Sequence, residues 1–138
     1  MQREVIARTL AQRAGQAPDA RAVAEASVST WTQVSERLAP VIGERGVEAL
    51  FQRSLHLGSA TYPWLAVAAT EEPGVARLDR LRLRLVERDP GSAAEASALL
   101  LLTFSALLAA MIGDALTDKL LEPVWATPAL DTKPENES

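Results

Sequence analysis

Ala96–Gly113, ASALLLLTFSALLAAMIG, carries no charge between Glu95 and Asp114. A run of this length reads either as a membrane span or as a helix buried on most of its sides. It sits at the short end of the roughly 17–25 residues a spanning helix needs, and Ser97, Thr103, Ser105 and its alanines add little transfer energy. Its flanks are acidic, with Asp89 and Glu95 before it and Asp114, Asp118 and Glu122 after it. The nearest basic cluster is Arg84 with Arg88, and no aromatic belt marks an interface. A membrane partner is therefore disfavoured. The stretch reads as the core of a soluble all-α protein, a four- to five-helix bundle around a long, nearly all-apolar C-terminal helix covering about 92–121.

Immediately upstream, Asp89-Pro90-Gly91-Ser92 punctuates the chain, and Ser92-Ala93-Ala94-Glu95 matches a capping box that starts this helix. Val75–Arg88 is ambiguous, because Leu81, Leu83 and Leu85 alternate like a half-buried strand while Val75, Leu78, Leu81 and Leu85 also fit a helix. A lone strand has no partner for its hydrogen bonds, so the segment is read as a helix, with Leu83 off its main stripe as a second contact surface. This helix reaches only the first half of the long one. The second half, 106–121, needs the earlier helices or a second copy of the chain to bury it.

Before the Glu71-Glu72-Pro73-Gly74 turn, three helices are expected. Val5, Ile6 and Leu10 mark a short, mobile one that Gly15 and Pro18 end. Asp19 caps the next, whose buried face carries Val23, Ser27, Thr30, Trp31, Val34, Leu38 and Val41, with Trp31 as its anchor. Pro40 and Gly43 break it, and a third helix buries Val47, Leu50, Phe51, Leu55, Gly58 and Tyr62 until Tyr62-Pro63-Trp64 stops it. Residues 1–127 thus form one domain with 1–18 as its mobile edge, and the proline-rich polar residues 128–138 form a disordered tail.

Composition narrows the function. The 138 residues contain no cysteine, which excludes thiolate metal sites, iron–sulfur clusters and cysteine nucleophiles. The net charge of −4 disfavours nucleic acid and anionic membranes. The N-terminus has no apolar signal region, which implies a cytoplasmic location. The dominance of arginine over lysine, with abundant alanine, suggests a GC-rich bacterial source. No phosphate loop, nucleophile elbow or dinucleotide fingerprint is present, so neither an enzyme nor a cofactor is expected.

The remaining candidates are clusters. Arg77, Arg80, Arg84 and Arg88 form a basic stripe suited to phosphates or an acidic partner, although acidic neighbours nearly cancel its field and a solvated, salt-bridged face is the plainer reading. Asp114 and Asp118 continue to Glu122 as an acidic stripe, placed near a helix C-terminus where the macrodipole disfavours it. Ser105, Ala109 and Gly113 put small residues four apart and suit a close dimer interface. Phe51, Tyr62, Trp64 and Phe104 could line an apolar pocket. His56, the only histidine, reads as a surface residue or a phospho-acceptor. His56-Leu57-Gly58 resembles the acceptor region of histidine phosphotransfer modules, without their lysine.

Val41–Leu57, with Tyr62-Pro63-Trp64-Leu65 and Ile112-Gly113-Asp114-Ala115-Leu116-Thr117, resembles small uncharacterised bacterial proteins associated with signal transduction. The likeness covers about 38–125 and implies a signalling protein as partner. The expected function is a non-enzymatic, homodimeric interaction or regulatory module. The alternatives are a binder of small apolar ligands and a phosphotransfer protein using His56.

Overall fold

The structure, a computed structural model, describes residues 2–15, 19–66 and 75–126. These form helices and turns, with no strand among the described residues. The first helix, α1 (Gln2–Ala14), ends at Gly15, whose φ of 97° is a glycine conformation. Its weak stripe is nevertheless seated: Ile6, Thr9 and Leu10 are buried. Asp19 caps the following helix as its position suggests, its carboxylate accepting the Ala22 N–H at 2.8 Å.

The helical run Ala20–Gly58 is two helices, α2 (20–42) and α3 (44–58), because Gly43 has φ 82 and ψ 158, outside helical geometry and accessible essentially only to glycine. Along one straight helix Trp31 and Phe51 would stand about 30 Å apart. Their ring centroids are 4.6 Å apart, so the chain doubles back at Gly43 into a helical hairpin. Phe104 completes the cluster edge-on to Trp31 at 5.1 Å, tying the hairpin to the apolar run. Trp31 is the anchor its spacing implies, whereas Val41, at the corner, is exposed. The third helix stops at Gly58 rather than Tyr62. A Cβ on Gly58 would lie 3.1 Å from Leu100 and 3.2 Å from Leu65, a close approach that brings α3 onto the central helix. A short 3-10 turn, Pro63–Leu65, follows.

The ambiguous segment is helical: α4 (Val75–Val86) buries Leu81 and Leu85 against the hairpin and leaves Leu83 exposed. The central helix, α5 (Pro90–Ile112), begins earlier than a cap at Ser92 implies. Asp89 is the cap, accepting the Ser92 N–H at 3.0 Å, and Pro90 takes the first turn, where no N–H is needed. Ala93, Ser97, Leu100, Leu101, Phe104 and Leu108 lie in the core.

The long helix expected over about 92–121 does not continue past Ile112. Gly113, at φ 93 and ψ 156, ends α5, and α6 (Asp114–Ala126) starts at the next residue. Two consequences correct the sequence reading. Asp114 stands at a helix N-terminus, where its charge is favoured, rather than near a C-terminus. The chain also turns to pack α6 on α1, α2 and α5. Pro123 does not stop α6. Its missing N–H falls in the last turns, and the nearby carbonyls find other donors: Arg37 to Leu120 at 3.1 Å, Arg13 to Val124 at 2.9 Å and Thr9 to Trp125 at 3.1 Å. Cations at this end complement the helix dipole. The tail assigned to 128–138 lies outside the described residues.

Candidate functional site

With about 100° between successive residues of a helix, Ser97, Leu101, Phe104 and Leu108 share the inward side of α5, and all are buried. The opposite side carries Leu99, Leu102, Thr103, Ala106 and Ala110, each half-buried or exposed. α5 is long and apolar enough to cross a membrane, a property that core helices share, and 44% of its most apolar stretch is buried in the fold. From Leu99 to Ala110 this outward side therefore carries no charge, Glu95 one turn earlier being the exposed charge on the same side. Met111, 58% exposed, near the end of α5, and Leu116, 41% exposed, in the first turn of α6, are further apolar side chains left at the surface.

The proposed dimer residues divide across this geometry. Ser105 is buried, and its hydroxyl donates to the Leu101 carbonyl at 2.9 Å. It belongs to the chain's own core. Ala109 is half-buried and Gly113 exposed. The small residues that face outward are Ala106 and Ala110, one position along from the predicted pair. Spacing alone could not orient the stripe, because every position of this run is apolar or small.

The four aromatic residues proposed as a pocket are split into two sites. Phe51 and Phe104 are core residues on either side of Trp31. Tyr62 and Trp64 form a half-buried edge-on pair, centroids 5.8 Å apart, with the Arg88 guanidinium 4.9 Å from the Trp64 ring and Tyr62 Oη 3.4 Å from Glu95. An open groove of about 810 Å3 lies elsewhere, between α2, α3 and the start of α4, lined among others by Ser35, Glu36, Ala39, Glu48, Gln52 and Arg77. No residue of the aromatic quartet lines it.

The arginine stripe is largely used within the fold. Arg77 is 4% exposed and pairs with Glu48 at 2.9 Å. Arg84 pairs with Glu87 at 2.9 Å, and Arg88 covers Trp64. Arg82 bridges Asp79 at 3.0 Å and Glu25 at 3.3 Å, and these carboxylates hold its guanidinium pKa above the usual value. Arg80 is half-buried. Asp114, Asp118 and Glu122 are exposed. No group of carboxylates and histidine suited to a metal occurs among the described residues.

His56 is exposed on α3, and its backbone carbonyl accepts the Ser59 hydroxyl at 2.6 Å. The cation that sequence reading overlooked is Arg13. It bonds Gln33 Oε1 at 2.7 Å and the Val124 carbonyl at 2.9 Å, and burial lowers its pKa. Its place in the last turn of α1 was the available signal. The chain matches no protein-family model, no curated protein and no solved structure.

Proposed function

We propose that the protein is a non-enzymatic interaction module that acts as a homodimer, with the outward face of α5 as its contact surface. The observation that carries this reading is the uncharged face through Leu99, Leu102, Ala106 and Ala110, in which the two leucines are only half-buried and the two alanines exposed. An apolar helix face is stable when it is buried, and exposed apolar surfaces of this kind mark association sites. A role in signal transduction, in the cytoplasm of a bacterium and with a signalling protein as further partner, belongs to the same proposal and rests on the sequence resemblance. Light scattering on the wild type and on Ala106→Glu tests it. A dimer that becomes a folded monomer supports the reading, and a wild type that stays monomeric ends it.

The groove between α2 and α3 favours a second reading, binding of a small ligand with a partly apolar body. Thermal stabilisation of the wild type by such a compound, lost in Ser35→Trp, supports it.

A further inference from the structure

Gly113 is the whole connection between α5 and α6, and on both sides of it the chain is helical. Nothing lies within 4 Å of a Cβ built at this residue, so packing at the residue itself does not hold the corner. What holds it is the dock of α6: the buried Leu121 and Val124, with the Leu120, Val124 and Trp125 carbonyls bonded to Arg37, Arg13 and Thr9. The large apolar side chains left exposed here, Met111 and Leu116, flank the corner two residues before and three after it.

We propose that α6 is exchanged between two copies of the chain. Gly113 turns helical, α5 and α6 join into one helix over 90–126, and each α6 occupies on the second copy the dock it has here on its own chain. The proposal rests on the dimer reading and names how the second copy is held. Exchange re-forms every contact of the dock, so only the corner changes. A hinge with no slack favours it. The two joined helices cross near Gly113, where Ala106 and Ala110 on the outward face allow close approach and where Met111 and Leu116 gain cover. Asp114 opposes the exchange, because joining the helices removes the N-terminus that stabilises its charge.

The sequence has no cysteine, so Thr9→Cys combined with Trp125→Cys reports which chain α6 docks on. Oxidised as a native dimer and then denatured, an exchanged protein runs as a covalent dimer. A dimer by light scattering whose cross-link stays within one chain overturns the exchange and leaves face-to-face pairing standing. Gly113→Ala lowers the dimer dissociation constant by at least about tenfold, since both chains leave a conformation closed to alanine and gain a better helix former. Insertion of three glycines between Gly113 and Asp114 relaxes the corner and returns an exchanged dimer to monomer. It leaves a face-paired dimer intact, which again overturns the exchange, and this arm decides even where Gly113→Ala fails to fold. A wild type that is monomeric at every concentration ends the dimer reading and the exchange together.

Discussion

Among the described residues, helix hydroxyls turn back to the carbonyl one turn earlier at Thr30 to Ala26, Thr32 to Val28, Ser54 to Leu50 and Ser105 to Leu101, and the single Thr9 proton is shared between the Val5 and Trp125 carbonyls. Ser27 and Ser97 are fully buried on α2 and α5 and have no such bond among the described residues. A buried hydroxyl that gives up water without a replacement costs free energy. Ser97→Ala is therefore expected to raise stability by roughly 1 kcal/mol, from the removed unpaired hydroxyl and the better helix former. Urea unfolding checks this as a higher midpoint at unchanged slope; a lower midpoint would mean that the hydroxyl has a partner such as a buried water. The α5 cap gives a pH dependence. Bonding to Ser92 holds the Asp89 carboxyl below its ordinary pKa. A carboxyl depressed in the folded state stabilises above its unfolded pKa of about 3.9, and that contribution is lost as pH falls through the folded value. Unfolding followed from neutral pH into acid should lose less stability in Asp89→Asn than in the wild type.

Among the elements, two glycines with nearly the same backbone angles made unequal signals. Gly43 follows Pro40 and sits between two well-patterned amphipathic stretches, so the break between α2 and α3 was legible. Gly113 follows an all-apolar run in which no face alternates, and it passed for one more small helical residue. The pair Gly113-Asp114, a glycine at a helix end followed by an acidic first-turn residue, was the local chemistry that marked it. For the same reason Trp31 could be placed by periodicity, whereas the inward Ser105 and the outward Ala106 could not be told apart. The aromatic quartet failed as a pocket because separation between helices is a tertiary property that spacing along one helix does not carry. At Gly43 a Cβ would meet nothing within 4 Å, so the cost of alanine there is purely conformational. Gly43→Ala is expected to destabilise the fold by about 1–3 kcal/mol, with weakened Trp31–Phe51 contact seen as a change in tryptophan fluorescence. An unchanged unfolding midpoint and emission would show that the corner tolerates an L-residue.

For the whole molecule, charge decides how it can meet another copy. Each chain carries a net −4, so two copies repel at long range. Within the chain Arg77 is engaged with Glu48, Arg82 with Asp79 and Glu25, and Arg84 with Glu87, whereas Arg8, Arg21, Arg45 and Arg53 are exposed. The contact surface proposed above is the uncharged side of α5, whose burial would be driven by the hydrophobic effect, which simple salt does not screen. Raising sodium chloride from about 0.05 M to about 0.5 M shortens the range of the repulsion while leaving the attraction in place. The dimer dissociation constant, measured by sedimentation across that range, is expected to stay level or fall. A partner gripping the arginine stripe, or a nucleic acid, gives the opposite slope, because ion contacts are lost as salt rises. Self-association that weakens steeply with salt would place the contact on charged surface and remove α5 from the interface.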